Sequence, residues 1–159
     1  MAGLREILSE ERVSVAGETE GVVSDKPGAL SRLAQLLANG SQSDAVEIER
    51  MLREREALQS TGVGDGVAVP HACVTRVDRQ VGAVLVCPKP VPFDAIDGAP
   101  VSIFFALIGP KGAPAEHLKI LARVSRLLRE PVFRARLAGA RAGGEAYRLI
   151  VATEGGGHD

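Results

Sequence analysis

The chain has 159 residues, 45% of them hydrophobic and 25% charged, a size and balance that fit one globular domain with its own core. A formal net charge of −1 supplies no long-range field to draw in nucleic acid or an anionic membrane, so any phosphate chemistry must come from a local site. Aromatic residues reach only 3%, with no Trp, too few for a base-stacking platform or a sugar-stacking groove.

The N-terminus, MAGLREILSEERV, lacks the apolar centre of a signal peptide, and no later apolar run reaches the length of a membrane span. A cytoplasmic protein without direct membrane insertion is expected. In Gly28–Ala38 the residues Leu30, Leu33, Leu36 and Leu37 recur at helical spacing. A second helix is expected from about Asp44 to Glu56–Leu58, with Glu47 placed to complete a capping box and Ile48, Met51 and Leu52 on its apolar side.

The middle of the chain changes character. Val67–Val69, Val81–Cys87 and Val101–Ile108 are short, rich in Val, Ile and Phe, and bounded by Pro and Gly, which predicts strands. The third is apolar on consecutive positions, as a central strand covered on both faces requires. Between the last two, Pro88–Pro100 holds four prolines and is expected to be irregular. Cys73 and Cys87 stand without a CxxC pairing and are expected to be free thiols.

Helical spacing returns after Pro114. There Leu118, Leu121, Val124, Leu127 and Leu128 form an expected apolar stripe, opposed by Lys119, Arg123, Arg126 and Arg129. Pro131 either ends that helix or opens another, and Ala146–Val151 is the last candidate helix. Helices flanking a strand-rich middle predict a single-domain, layered α/β fold over residues 1–153, with 154–159, including His158, as a disordered tail.

The segment richest in chemistry is Ser60-Thr61-Gly62-Val63-Gly64-Asp65-Gly66-Val67-Ala68-Val69-Pro70-His71-Ala72. Three glycines at alternate positions permit positive φ or close backbone approach, and Pro70 stiffens the backbone that presents His71. A neutral imidazole is a nucleophile near pH 7, with one ring nitrogen free to attack while the other donates a hydrogen bond. The glycines match neither the GxxxxGK[ST] loop nor the dinucleotide fingerprint. Standing alone, such a histidine is more often structural. His117 lies just inside the start of the helix after Pro114, where unpaired amides and the helix dipole favour an anion and a neutral ring. Arg55 offers a guanidinium fork suited to phosphate oxygens, although its charged neighbours are equally those of a solvated helix face.

Arg55-Glu56 followed by Ser60–Ala72 closely resembles the active-site stretch of phosphotransferase enzyme IIA domains of the fructose/mannitol and nitrogen-regulatory type. Phe93-Asp94-Ala95-Ile96-Asp97-Gly98-Ala99-Pro100-Val101 and Glu116-His117-Leu118-Lys119-Ile120-Leu121-Ala122 resemble the same family at similar spacing. The resemblance implies a mixed β-sheet flanked by α-helices. It also implies that His71 accepts phosphate, most often through Nε2, from the phosphohistidine of a small HPr-like carrier, with His117 and Arg55 assisting. Asp65 and Lys111 depart from the commonest family pattern; Asp65 is expected to point away from an incoming phosphoryl group or to tune docking.

The mechanism this implies is in-line transfer between two imidazoles, which needs alignment and charge stabilisation but no cofactor or nucleotide. Two roles remain open: a regulatory carrier whose phosphorylation state governs target proteins, or a sugar-specific component passing phosphate to a IIB domain. No IIB or IIC segment is expected with this chain, and the regulatory role is expected over dedicated transport. A metal site of His71 and Cys73 with Cys87 or His117 is disfavoured because structural zinc sites use clustered CxxC pairs.

Overall fold

The computed structural model describes residues 3–17, 21–39 and 41–156. In chain order it contains α1 (Leu4–Ile7), β1 (Val13–Val15), α2 (Lys26–Ala38), α3 (Ala45–Leu58), β2 (Gly62–Gly64), β3 (Val67–Ala68), β4 (His71–Val74) and β5 (Val81–Val91). These are followed by β6 (Val101–Pro110), α4 (Pro114–Leu127), α5 (Pro131–Ala138) and α6 (Gly143–Gly156). The sheet has six strands in the order β1-β5-β6-β3-β2, with β4 also pairing β6. It is mixed: β5 runs antiparallel to β6, while β1 is parallel to β5, and β3 and β4 are parallel to β6.

Alternate residues of β5 and β6 feed two cores. Ala83, Leu85, Phe104, Ala106 and Ile108 pack against Leu30, Leu33, Leu37, Ile48 and Leu52 from α2 and α3. Val84, Val86, Ile103, Phe105 and Leu107 face Ile120, Val124, Phe133, Leu137 and Ile150 from α4, α5 and α6. The consecutive apolar run in β6 is thus explained by cover on both faces, and each fully buried Phe or Leu contributes about 1.5–3 kcal/mol.

Asp25 caps α2 by accepting from Gly28 N at 2.8 Å, and Asp44 caps α3 by accepting from Glu47 N at 2.8 Å. The expected reciprocal half of a capping box at Glu47 is replaced by other contacts. Its carboxylate accepts from Ser43 Oγ and Thr75 Oγ1, each at 3.1 Å, which ties α3 to the end of β4.

Three expectations need correction. The Pro88–Pro100 segment is not wholly irregular, since β5 continues to Val91. The register with β6 shifts between Val86 and Val91, so Pro88 and Pro90 lie in an irregular stretch of the pairing, where no ladder N–H is required of them. In α4 the buried line is His117, Ile120 and Val124, continued by Leu128, whereas Leu118 is 65% exposed. Arg123 turns from the expected solvent face to pair with Glu154 of α6 at 2.8 Å. The last helix begins before Ala146 and runs to Gly156, past the boundary expected after residue 153. Glu154 also accepts from Leu4 N. His158 lies outside the described residues.

Arg12, which carried no sequence signal, is buried and donates to the carbonyls of Gly82, Asn39 and Ile7 at 3.0–3.1 Å. It ties the ends of α1 and α2 to the start of β5. Among the described residues no helix is long and apolar enough to cross a membrane.

Candidate functional site

The chain reaches the site through a tight hairpin. Asp65 and Gly66 connect β2 to β3 with φ of 58° and 76°, the positive values that a two-residue turn of the Asp-Gly kind needs. Gly62 serves a different purpose: a Cβ there would stand 2.7 Å from Ala95 Cβ, so its absence lets the loop after β5 close over β2. That loop also braces the hairpin. Ser60 Oγ donates to Phe93 O at 3.1 Å, Ile96 N to Gly62 O at 3.3 Å, and Asp65 N to Asp97 Oδ2 at 3.1 Å. Asp65 itself is exposed and lines a cleft with Ser125 and Arg129 that adjoins the cavity beside His71 through Val63, Val69 and Ser125. The stretch Phe93–Pro100 therefore supports the site's backbone.

Beneath the loop, Glu56 is buried at the end of α3. It accepts from Thr61 N at 3.0 Å and Thr61 Oγ1 at 2.6 Å, and pairs with Lys26 at 2.8 Å. Burial alone would raise its pKa, but the contacts with Lys26, Thr61 and Ser60 outweigh burial and hold the carboxyl below its usual value. This buried carboxylate anchors the turn from α3 into β2 and was not singled out from the sequence.

His71 opens β4, a strand the sequence did not predict, and pairs in register with Leu107 of β6. Its Nδ1 is 2.8 Å from Val69 O. A carbonyl oxygen only accepts, so Nδ1 carries the hydrogen and Nε2 is left with its lone pair. Burial, chiefly, and the nearby Arg55 guanidinium hold the ring's pKa below 6.5, against the Val69 contact, so the ring is neutral at pH 7.

His117 approaches from the first turns of α4, with its ring centroid 5.8 Å from that of His71 and the planes inclined by 52°. It is buried, not solvent-facing, and its pKa is lowered to about 4 by burial first and by His71 second. Its Nδ1 lies 2.8 Å from Oε1 of Gln80, another residue the sequence did not single out. Arg55, in the last turn of α3, donates to Gln59 O at 2.8 Å and lines the cavities beside His71. The three residues picked from the sequence thus come from α3, β4 and α4 and meet at one end of the sheet.

Two cavities flank His71. One, of about 290 Å³, is walled by Arg55, Ser60, Gly62, Ile96, Leu121 and Ser125. The other, of about 480 Å³, is walled by Met51, Leu58, Cys73 and His117 with Arg55. Exposed apolar side chains stand at both cavities: Leu58 is 82% exposed and Ile96 70%. Both cysteines are free; Cys87 is buried, which pushes its thiol up to about 11. Among the described residues no group of three or more His, Cys, Asp or Glu side chains is arranged to hold a metal.

A neutral imidazole with one bare nitrogen, close to a second neutral imidazole and sharing its cavities with a guanidinium, has the chemistry to take up an anionic group at nitrogen. Residues 6–152 match the family described as "Phosphoenolpyruvate-dependent sugar phosphotransferase system, EIIA 2". The chain is 36% identical over 159 residues to a "Nitrogen regulatory protein" of Pseudomonas aeruginosa, covering 98% of this chain and 99% of that one. The fold is similar to the crystal structure of nitrogen regulatory protein IIA-Ntr from Neisseria meningitidis, with a TM-score of 0.82 and 32% identity over 91% of this chain and 97% of the other. It also resembles enzyme IIA mannitol of Escherichia coli, solved in complex with phosphorylated enzyme IIB mannitol, with a TM-score of 0.72 over 91% and 97% of the two chains. At 19% identity, that is a likeness of fold alone.

Proposed function

The chain belongs to the EIIA 2 family of the phosphoenolpyruvate-dependent sugar phosphotransferase system, and from that premise we propose that it is a regulatory phosphoryl carrier taking phosphate on Nε2 of His71. The observation that carries this reading is the hydrogen bond from His71 Nδ1 to Val69 O. It fixes the tautomer and orients the ring, so that the nucleophilic lone pair is on the nitrogen left free.

An HPr-like phosphohistidine is the donor. As its P–N bond breaks, the phosphoryl group passes in line to Nε2 of His71, and a new P–N bond forms there. Negative charge spreads over three equatorial oxygens, and Arg55 and His117, which line the cavities beside His71, are assigned to stabilise it. Both rings are held neutral, which suits attack by one and hydrogen bonding by the other.

The exposed apolar side chains of Leu58 and Ile96 belong to the surface on which donor and target proteins dock, a use supported by their place at the two cavities. Regulation is favoured over sugar uptake because the full-length relative at 36% identity bears the nitrogen-regulatory name.

The test is incubation with phosphoenolpyruvate, enzyme I and an HPr-like carrier, read by intact mass. One acid-labile, base-stable phosphoryl group is expected, and His71→Ala should take none. Normal labelling of His71→Ala would place the acceptor elsewhere.

A further inference from the structure

Gln80 immediately precedes β5 and is only 3% exposed. Its Oε1 meets Nδ1 of His117 at 2.8 Å. Since a carbonyl oxygen accepts only, that contact requires the His117 hydrogen on Nδ1 and leaves Nε2 bare. Two buried atoms here have no protein partner: His117 Nε2 and the amide nitrogen of Gln80. Buried polar atoms are nearly always paired, so an unpaired couple on one contact calls for an explanation.

The backbone makes room for this amide. At Gly109 of β6, a Cβ would stand 2.5 Å from Cδ of Gln80 and closer still to both its heteroatoms, so only glycine lets the amide lie where it does. An amide also has two ends of nearly equal shape and opposite polarity. Turned by 180°, Gln80 would donate to His117 Nδ1 and so require the hydrogen on Nε2. That is the ring nitrogen left available to a group on His71, 5.8 Å away between centroids.

We propose that Gln80 is a positioning residue for phosphoryl transfer, one that holds the His117 ring and selects its tautomer according to whether His71 carries phosphate. With His71 bare, Oε1 of Gln80 faces Nδ1. With His71 phosphorylated, the amide is reversed, and Nε2–H of His117 donates to a phosphoryl oxygen. The proposal rests on the reading that His71 accepts phosphate.

The proton count is conserved. The donor's P–N bond breaks and a P–N bond to His71 forms, while His117 keeps one hydrogen, moved from Nδ1 to Nε2 by exchange with water. A neutral tautomer change avoids charging a buried ring, which burial opposes. Glutamine can accept in one state and donate in the other, which neither an aliphatic nor a carboxylate side chain can do.

The experiment is a long-range 1H–15N correlation spectrum of 15N-labelled protein before and after phosphorylation by the relay, paired with the rate of phosphate acceptance. In the wild type, His117 should carry its hydrogen on Nδ1 before and on Nε2 after. Gln80→Leu should lose that reversal and accept phosphate about tenfold or more slowly, as removal of the group orienting a functional imidazole does, without abolishing it. Gly109→Ala keeps Gln80 but crowds its amide and should behave alike, so it carries the test if Gln80→Leu does not fold. A wild-type His117 protonated on the same nitrogen in both states would overturn the proposal, as would native rates in both variants. A wild type that takes no phosphate would sink the carrier reading instead. The unmodified tautomer, and its loss in Gln80→Leu, would then still decide the Gln80 contact.

Discussion

Folding moves the His117 imidazole from an ordinary pKa of 6.5 to about 4, because burial and the neighbouring His71 both oppose its charge. The unfolded chain therefore takes up a proton near pH 6.5 that the folded chain refuses until about pH 4. Stability must fall as pH drops through that window and level off, for this group, below it. At about 1.4 kcal/mol per pH unit, the gap amounts to about 3 kcal/mol, a large share of the 5–15 kcal/mol that domains possess (about that range). Urea unfolding of the wild type and His117→Gln at pH 7.0, 6.0, 5.0 and 4.0 (pH values chosen to span about the whole window) isolates the effect. The substitution shifts stability by some fixed amount at every pH, and carboxylates elsewhere titrate alike in both proteins. Only the difference between the two should slope, moving by about 3 kcal/mol in favour of the variant as pH falls. A difference that stays flat from pH 7 to about 4 would mean that His117 is not held neutral by its surroundings and that the site does not hold a neutral pair of imidazoles.

Three further outcomes are expected. Glu56→Ala leaves Lys26 and Thr61 without their buried acceptor and should cost about 2–4 kcal/mol in urea unfolding, the discount from a fully buried pair reflecting the partly exposed lysine. Because the native carboxyl is held below its usual value, its contribution is present above about pH 4.5 and is lost as pH falls through the folded value, so the variant should show a shallower acid loss. Gly62→Val drives a Cβ into Ala95 and should cost about 1–3 kcal/mol while slowing phosphate acceptance; wild-type stability would show that the loop after β5 yields freely. Arg55→Ala should fold normally yet accept phosphate about a hundredfold more slowly in a quenched-flow mass assay, and an unchanged rate would reduce Arg55 to its contact with Gln59 O.

Much of this architecture is legible in local patterning. The leucine spacing of α2, the boundaries of α3 at Asp44 and Leu58, and the unbroken apolar run of β6 follow from helical periodicity, a capping residue and two-sided burial. The short strands β1, β2 and β4 do not follow, since three or four residues carry no readable period and their pairing is decided by neighbours distant in the chain. Prolines 88 and 90 read as strand breakers because the register shift that accommodates them is a property of the pairing with β6.

The residues His71, His117 and Arg55 could be named from the chain by residue type, loop chemistry and resemblance. What the chain alone could not supply was their state. That depends on which carbonyl His71 meets, which amide reaches His117 from 37 positions away, and which face of α4 the sheet covers. The α4 stripe illustrates the reason. Leu118 and Ile120 are equally apolar as a local pattern, and only the placement of the sheet decides that Ile120 is buried and Leu118 is left open to solvent. Residue identity and periodicity are local and survive in the sequence; tautomer, burial and ion-pair geometry are set by long-range contacts, so they exist only in the folded protein.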